Sequence, residues 1–138
     1  MELHRKGSRP AVPGNAQWFT GSICMEPVIG AEPPGRPGSA IVTFQPGART
    51  NWHTHPLGQL LIVTEGRGRA QSAGGSVIEL LPGDVVWFAA GERHWHGAAP
   101  DAAMTHIAVH AALNGSTVDW DGPVTDADYL TAPEPSGS

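Results

Sequence analysis

The sequence lacks residues on which several kinds of protein depend. Its 138 residues include one cysteine, Cys24, which excludes an internal disulfide and any cysteine-rich zinc or iron–sulfur site. Its single lysine, Lys6, lies near the N-terminus, so a buried Schiff-base lysine is not expected. Carbonyl chemistry in this chain would therefore have to proceed without an amine.

Positive charge and long apolar runs are also scarce. The net charge is −5 with histidine neutral, and there is no basic stripe, which disfavours nucleic acid and anionic membranes as partners. No run of about 18 apolar residues could span a membrane. The basic residues 1–9 are not followed by the apolar segment of a signal peptide. We therefore expect a cytoplasmic protein whose partner is a small molecule.

Glycine and proline, by contrast, are abundant, with 18 and 13 residues. In a helix interior glycine costs about 1 kcal/mol and proline about 3 kcal/mol, so long helices are not expected. Turn signals separate about eight to ten short β-prone runs, of which residues 59–64 form the strongest. The pattern predicts an all-β antiparallel sandwich or small barrel, with one helical turn near residues 125–129.

The length and the lack of an internal linker or repeat predict one domain over residues 1–138. Its core is expected over about residues 17–130. Residues 1–16 are predicted to be a polar arm, ordered only where it packs on something. Residues 132–138 are rich in proline, serine and glycine and are predicted to be disordered.

Histidine is the unusual residue type, because six of the seven fall between residues 53 and 110. Side chains alternate across a strand, so these six form three pairs that each face one side of their strand. The pairs are His53 and His55, His94 and His96, and His106 and His110. Imidazoles crowded in an interior are costly unless they are neutral and hydrogen-bonded, or bound to a metal. The pattern favours a metal site, and the alternative is a hydrogen-bonded cluster without metal.

Two stretches of the sequence resemble the two motifs of the cupin family. Residues 47–66 match the first motif, G-x5-H-x-H-x3-E-x6-G, except that Gln59 replaces the usual glutamate. Residues 83–98 are similar to the looser second motif, G-x5-P-x-G-x2-H-x3-N, with Ala89 and Ala98 in place of its proline and asparagine. The resemblance implies the cupin fold, a small antiparallel β-barrel or jelly roll.

The resemblance also implies a metal site with an unusual ligand set. Its ligands are His53, His55, Gln59 and His94. Three neutral imidazoles and a neutral amide leave a divalent ion with its full charge, which makes it a stronger Lewis acid than in the usual glutamate site. Nitrogen and oxygen ligands without sulfur suit manganese, iron, cobalt, nickel or zinc.

Within the cupins, the chain most resembles small single-domain bacterial members that include the manganese-dependent hydroxynitrile lyases. The similar stretches include residues 52–59, 82–88 and 94–100. In those lyases three histidines and a glutamine hold the metal, and further histidines beside it handle protons. The resemblance therefore implies one divalent transition metal, with manganese favoured, and His96 and His106 as the catalytic pair.

The implied reaction is the reversible cleavage of an aromatic, mandelonitrile-type cyanohydrin to an aldehyde and cyanide. A neutral histidine is a suitable base near neutral pH. We expect His96 to be the base and His106 to face cyanide, although the two roles could be exchanged. Strand parity predicts a substrate pocket formed by Ala40, Val42, Phe44, Leu61 and His110. Ordinary barrel core is the alternative for Ala40, Val42 and Phe44, and a hydrogen-bonded rim position for His110.

Two other functions stay open. A three-histidine site can hold ferrous iron and leave room for oxygen, as in a metal-dependent cupin dioxygenase. The pocket could also bind a small ligand without catalysis, and the fold alone does not separate these functions. Histidines beside the metal favour a lyase over a binding protein, and glutamine in place of glutamate favours Lewis-acid over redox chemistry.

Exposed sheet edges and apolar outer positions predict self-association. An antiparallel cupin has strand edges that need covering. Ile107 and Val109 lie on the face of their strand opposite His106. We therefore expect a homodimer or homotetramer.

Overall fold

The structure is a computed structural model and describes residues 1–134. In this range thirteen β-strands form two curled antiparallel sheets, and there is one short helix. The strands are β1 (Val12–Pro13), β2 (Phe19–Thr20), β3 (Ile23–Ile29), β4 (Gly38–Phe44), β5 (Arg49–Thr50), β6 (His53–Thr54), β7 (Gln59–Gly66), β8 (Gly68–Ser72), β9 (Ile78–Leu80), β10 (Val85–Phe88), β11 (His94–Ala98), β12 (Met104–His110) and β13 (Asp119–Trp120), and the helix is α1 (Asp126–Tyr129). The all-β prediction and the C-terminal helical turn are confirmed.

The longest strands, β3, β4, β7 and β12, all lie in the first sheet. The first sheet has the order β1-β3-β4-β12-β7-β10 and contains the long strands, whose β-branched and aromatic residues favour extended backbone. In the second sheet, β11 pairs with β5 and β6 on one side and with β8 on the other, and β9, β13 and β2 extend it. The turns between strands use glycine where the backbone has positive φ, as at Gly47 and Gly83.

The main hydrophobic core fills the inner face of the barrel. Alternate residues of β4, β7 and β12 point inward, and Phe44, Leu61 and Met104 are completely buried. The Phe44 ring lies 5.8 and 5.3 Å between centroids from the rings of His96 and His106, so the apolar core adjoins a cluster of buried polar side chains.

A second, smaller core lies on the outer side of β11. It is formed by Trp52, Val77, Trp95, Val124 and Tyr129. Tyr129 comes from α1, whose N-cap Thr125 accepts a hydrogen bond from the backbone N–H of Asp128 at 3.2 Å. With the main core on its inner side and this second core on its outer side, all five residues of β11, including His94 and His96, are buried.

Both ends of the described chain pack on the barrel. Strand β1 pairs with β3, with Val12 opposite Met25, and brings part of the N-terminal arm into the first sheet. At the other end the backbone of Glu134, in the segment predicted to be disordered, hydrogen-bonds to Val77 and Glu79, each at 2.7 Å. Residues 135–138 of that predicted tail lie outside the described residues.

The described part of the chain contains no helix that is long and apolar enough to cross a membrane. The cytoplasmic location stays a prediction.

Candidate metal centre and active site

Six buried polar side chains meet on the inner face of the barrel. They are His53, His55, Gln59, His94, His96 and His106, and none is more than 5% exposed. The short strand β6 brings His53 opposite His94 of β11, and β7 begins at Gln59. Because β12 pairs with β7, its completely buried His106 faces the same interior.

Three of the predicted metal ligands share one arrangement. In His53, His55 and His94, the ring Nδ1 lies 2.7–2.9 Å from a backbone carbonyl. The accepting carbonyls belong to Asn51, Thr117 and Glu92. A carbonyl only accepts, so each Nδ1 carries the proton and each Nε2 keeps its lone pair. This second contact is how proteins orient metal-ligating histidines.

The fourth predicted ligand, Gln59, lies among these imidazoles. Its Oε1 is 3.3 Å from Nε2 of His94. The His53 ring centroid is 4.2 Å from that of His94 and 5.0 Å from that of His55. The four side chains predicted to hold a metal are therefore brought together.

His96, predicted to lie beside the metal as a proton-handling residue, is also close enough to be a possible ligand. The possible ligand atoms of His53, His94 and His96 lie within 4.8 Å of one another. His96 differs from the others because its Nδ1 faces Nε2 of His106, at 3.1 Å, instead of a carbonyl. Nε2 of His55 and Nε2 of His96 are both buried without a protein partner in the described chain. The carbonyl-anchored set of His53, His55 and His94 with Gln59 fits a metal, and His96 remains available to a ligand.

Burial keeps these imidazoles neutral at physiological pH. It lowers the pKa of His94 and of His106 to about 4, because the charged form loses its hydration. Burial also lowers the pKa of His53 and His96 well below the usual value, and repulsion from neighbouring imidazolium adds to the effect. Neutral imidazole offers the lone pair that a metal or a transferred proton requires.

A cavity of about 410 Å³ opens beside the cluster. Ala40, Val42, Phe44 and His110, all predicted pocket residues, line it. Leu61 does not line it, because this residue lies two positions along β7 from Gln59 and is packed completely within the main core. The metal-ligand candidate His94 lies behind the cavity, where the Phe88 ring stacks on it at 3.5 Å between centroids.

The cavity also has an aromatic wall that sequence reasoning did not predict. Trp18 and Trp120 stack at 5.4 Å with an interplanar angle of 9°, and Phe19 meets Trp120 edge-on at 5.5 Å. All three line the cavity. They lie on or beside β2 and β13, and two-residue strands have too little alternation for a sequence to show which way their side chains point.

Comparisons with known proteins agree with this geometry. The sequence model of the cupin domain (Cupin_2) matches residues 40–110. The chain is 57% identical over 129 residues to an (R)-mandelonitrile lyase from Granulicella tundricola, covering 94% of this chain and 98% of that protein.

Solved structures show the same fold. A cupin-like protein from Thermotoga maritima is similar with a TM-score of 0.82 and 37% identity, over 97% of this chain and 98% of that one. A cupin-2 domain protein from Rhodospirillum rubrum, 18% identical, shares the fold with a TM-score of 0.70 over 92% of this chain and 82% of its own. The two motifs, the buried histidine cluster and these matches lead to one conclusion: the chain belongs to the cupin domain family.

Proposed function

We propose that the protein is a metal-dependent hydroxynitrile lyase. It would reversibly cleave an aromatic, mandelonitrile-type cyanohydrin to an aldehyde and cyanide. The observation that carries the proposal is the buried His96–His106 pair, hydrogen-bonded at 3.1 Å beside the cluster of candidate metal ligands. The 57% identity to a curated mandelonitrile lyase supports it.

The donor set fits a divalent transition metal. His53, His55 and His94 would hold it through Nε2, and Gln59 through its amide oxygen. The orphaned Nε2 of His55 is a buried lone pair that a cation would satisfy. When bound, a divalent cation supplies Lewis acidity that favours the ionised form of a nearby hydroxyl group. Among the metals that this nitrogen and oxygen set suits, we propose manganese, with iron, zinc, cobalt and nickel as alternatives.

The proton-handling roles depend on the direction of the His96–His106 hydrogen bond, and we propose that His96 is the donor. If Nδ1–H of His96 donates to Nε2 of His106, then Nε2 of His96 keeps a lone pair and accepts the substrate hydroxyl proton. The neutral His106 then carries its own proton on Nδ1, which has no protein partner in the described chain.

Proton balance follows from that arrangement. As His96 accepts the hydroxyl proton, its Nδ1 proton can pass to His106, whose Nδ1 proton goes to the departing cyanide. The products are the aldehyde and hydrogen cyanide. The opposite tautomers would exchange the two roles.

The cavity walls suit an aryl group. Ala40 and Val42 are small, and Phe44 and the Trp18–Trp120 pair add apolar surface. An aromatic ring placed against them would be shielded from water, while the hydroxyl and nitrile groups of the cyanohydrin would face the histidines.

Metal analysis coupled to a mandelonitrile assay tests the proposal. The purified protein should contain about one divalent transition ion per chain and release benzaldehyde and cyanide, and release should disappear in His96→Ala. The exposed His4→Ala variant is the matched control and should keep full activity. Iron with oxygen uptake and no cyanide release would favour the dioxygenase. A retained ligand without turnover would favour a binding protein.

We also propose that a second copy of the chain packs on the outer face of the first sheet. The pairing register of the neighbouring strands β4, β12, β7 and β10 places outward-facing apolar residues side by side. They are Ile41, Leu60, Ile62, Val85, Trp87, Ile107 and Val109. Val85 and Trp87 are 62% and 60% exposed, and neighbouring exposed apolar side chains of this kind are typical of an interface rather than a solvated face.

Light scattering tests this assembly. The wild-type chain should have the mass of a dimer or tetramer, and Trp87→Glu should lower it, because an isologous contact would bury the new charge twice. An unchanged mass in Trp87→Glu, or a monomeric wild type, would contradict the proposed interface.

A further inference from the structure

Thr50 is a buried polar residue in the cavity that the mechanism above does not use. It lies on β5, and the pairing of Arg49 with Gly97 places it opposite His96 on the inner face of the second sheet. Its side chain lines the cavity, yet the residue is only 2% exposed. Thr50 and His96 are therefore neighbours facing the same interior space.

The hydroxyl of Thr50 has an acceptor role already filled and a donor role still free. The backbone N–H of His96 donates to Thr50 Oγ1 at 3.2 Å. A hydroxyl also carries one proton to donate. Among residues 1–134, no acceptor lies within hydrogen-bonding distance and geometry of that proton. Because buried donors are normally satisfied, the free proton points to a ligand in the cavity as its partner.

We propose that Thr50 is a catalytic residue that donates a hydrogen bond to the substrate oxygen. This inference rests on the proposed function, since the oxygen concerned is the one from which His96 takes the proton. Negative charge grows on that oxygen as the proton leaves, until the carbonyl of the aldehyde forms. A fixed donor next to the base stabilises this charge without reorganisation. The bond also holds the hydroxyl group against Nε2 of His96.

A purely structural role is the competing explanation, because Thr50 also satisfies the His96 backbone N–H. Thr50→Val keeps the side-chain shape and removes both interactions, whereas Thr50→Ser keeps both. The two roles are separated by comparing a ligand that has an acceptor oxygen with one that lacks it. Benzaldehyde and toluene are such a pair, and their dissociation constants are measured by calorimetry on the metal-loaded protein.

In Thr50→Val we expect the dissociation constant of benzaldehyde to rise about tenfold, while that of toluene stays within about twofold. The kcat for mandelonitrile cleavage should fall by about 100-fold, as when a single oxyanion donor is removed. Thr50→Ser should stay within about threefold of the wild type in both measurements. If Thr50→Val does not fold, Thr50→Cys, a weaker donor of similar size, should show an intermediate loss of benzaldehyde affinity.

The possible outcomes separate this inference from the proposed function. Equal weakening of benzaldehyde and toluene, or no change for either, would overturn the role of Thr50 while mandelonitrile cleavage by the wild type stands. Thr50-dependent benzaldehyde binding in a wild type that does not cleave mandelonitrile would support the donor and overturn the lyase. A wild type that neither binds benzaldehyde nor cleaves mandelonitrile would overturn both.

Discussion

The two sides of strand β11 are both buried, but they differ in chemistry. His94 and His96 face the barrel interior, whereas Trp95 faces the second core on the outside. Each side contains polar groups that are costly to bury. The difference is that the inner side adjoins a cavity, and the outer side is packed closed.

The polar groups of the two sides are satisfied differently. On the outer side, Arg49 donates to the Val124 carbonyl at 2.9 Å, and Arg69 to the Tyr129 carbonyl at 2.7 Å. Both guanidinium groups also lie over the Tyr129 ring, at 4.3 and 5.3 Å. On the inner side, one ring nitrogen in each of His55, His96 and His106 has no partner among residues 1–134, and all three side chains line the cavity. On the outer side Nε of Arg49 and of Arg69 also lacks a partner in that range, but neither residue lines the cavity. Buried atoms left free at a cavity mark the reactive side of the strand, and carbonyl-bound cations mark the structural side.

The largest expected effect comes from removing an inner ligand. His53→Ala deletes a candidate metal ligand, so we expect metal content to fall to near zero. Lyase activity should fall by at least about a thousandfold. Mutating a residue that only hydrogen-bonds to a metal ligand typically costs 10- to 100-fold, and losing the ligand itself should cost more. Elemental analysis and benzaldehyde release measure the two effects. Full metal content and activity in this variant would contradict the assignment of His53.

The opposite result is expected on the outer side, where Tyr129→Ala should cost stability and spare activity. The ring is 2% exposed, and its hydroxyl donates to the Ala98 carbonyl at 2.5 Å. We expect the free energy of unfolding to fall by about 3 kcal/mol, as for other buried aromatic truncations. Activity per metal-loaded, folded chain should stay within about twofold. Denaturant unfolding and a rate measured at low temperature check both values.

The matched, milder variant is Tyr129→Phe, which removes only the hydroxyl. It should lose about 1 kcal/mol. A collapse of activity in either Tyr129 variant, with stability unchanged, would remove the distinction between the two sides.

His106→Ala tests whether the inner side contains more than a metal site. His106 contacts His96 and is not among the candidate ligands, so metal content should stay at the wild-type value. The kcat should fall by about 100-fold, within the range expected for a lost proton-transfer group. Added imidazole should restore part of the rate. Loss of metal together with activity would instead make His106 part of the metal site.

Much of the inner site could be predicted from the sequence because strand alternation is strict. His53 with His55, and His94 with His96, are two residues apart, and short strands bring all four to one interior. The all-β fold could also be predicted from local sequence, because frequent turn signals separate short β-prone runs. What did not follow is that the ring nitrogens of His96, His53 and His94 lie within 4.8 Å of one another, because spacing fixes the face of a side chain and not its distance from another strand.

The outer side was much harder to predict. Arg49 lies in a sequence that looks like a surface turn, but the C-terminal segment of the chain covers it, leaving it 6% exposed. Val124 and Asp126 are its partners, and they are separated from it by more than 70 residues. A contact across such a separation depends on the assembled barrel, and no local pattern encodes it.

The smallest expected effect tests whether charge or packing holds the outer side. Asp126 forms an ion pair with Arg49 at 2.7 Å, but its side chain is 84% exposed. Solvent screens such a pair, and Asp126→Asn keeps an oxygen acceptor, so the free energy of unfolding should change by less than about 0.5 kcal/mol. Arg49 would retain the Val124 carbonyl and the Tyr129 ring. Denaturant unfolding at low and high salt measures this, and a loss of more than about 2 kcal/mol that salt abolishes would show that charge docks the C-terminal segment. The small change that we expect would instead mean that aromatic packing and carbonyl contacts, rather than the ion pair, hold the C-terminal segment on the outer side of β11.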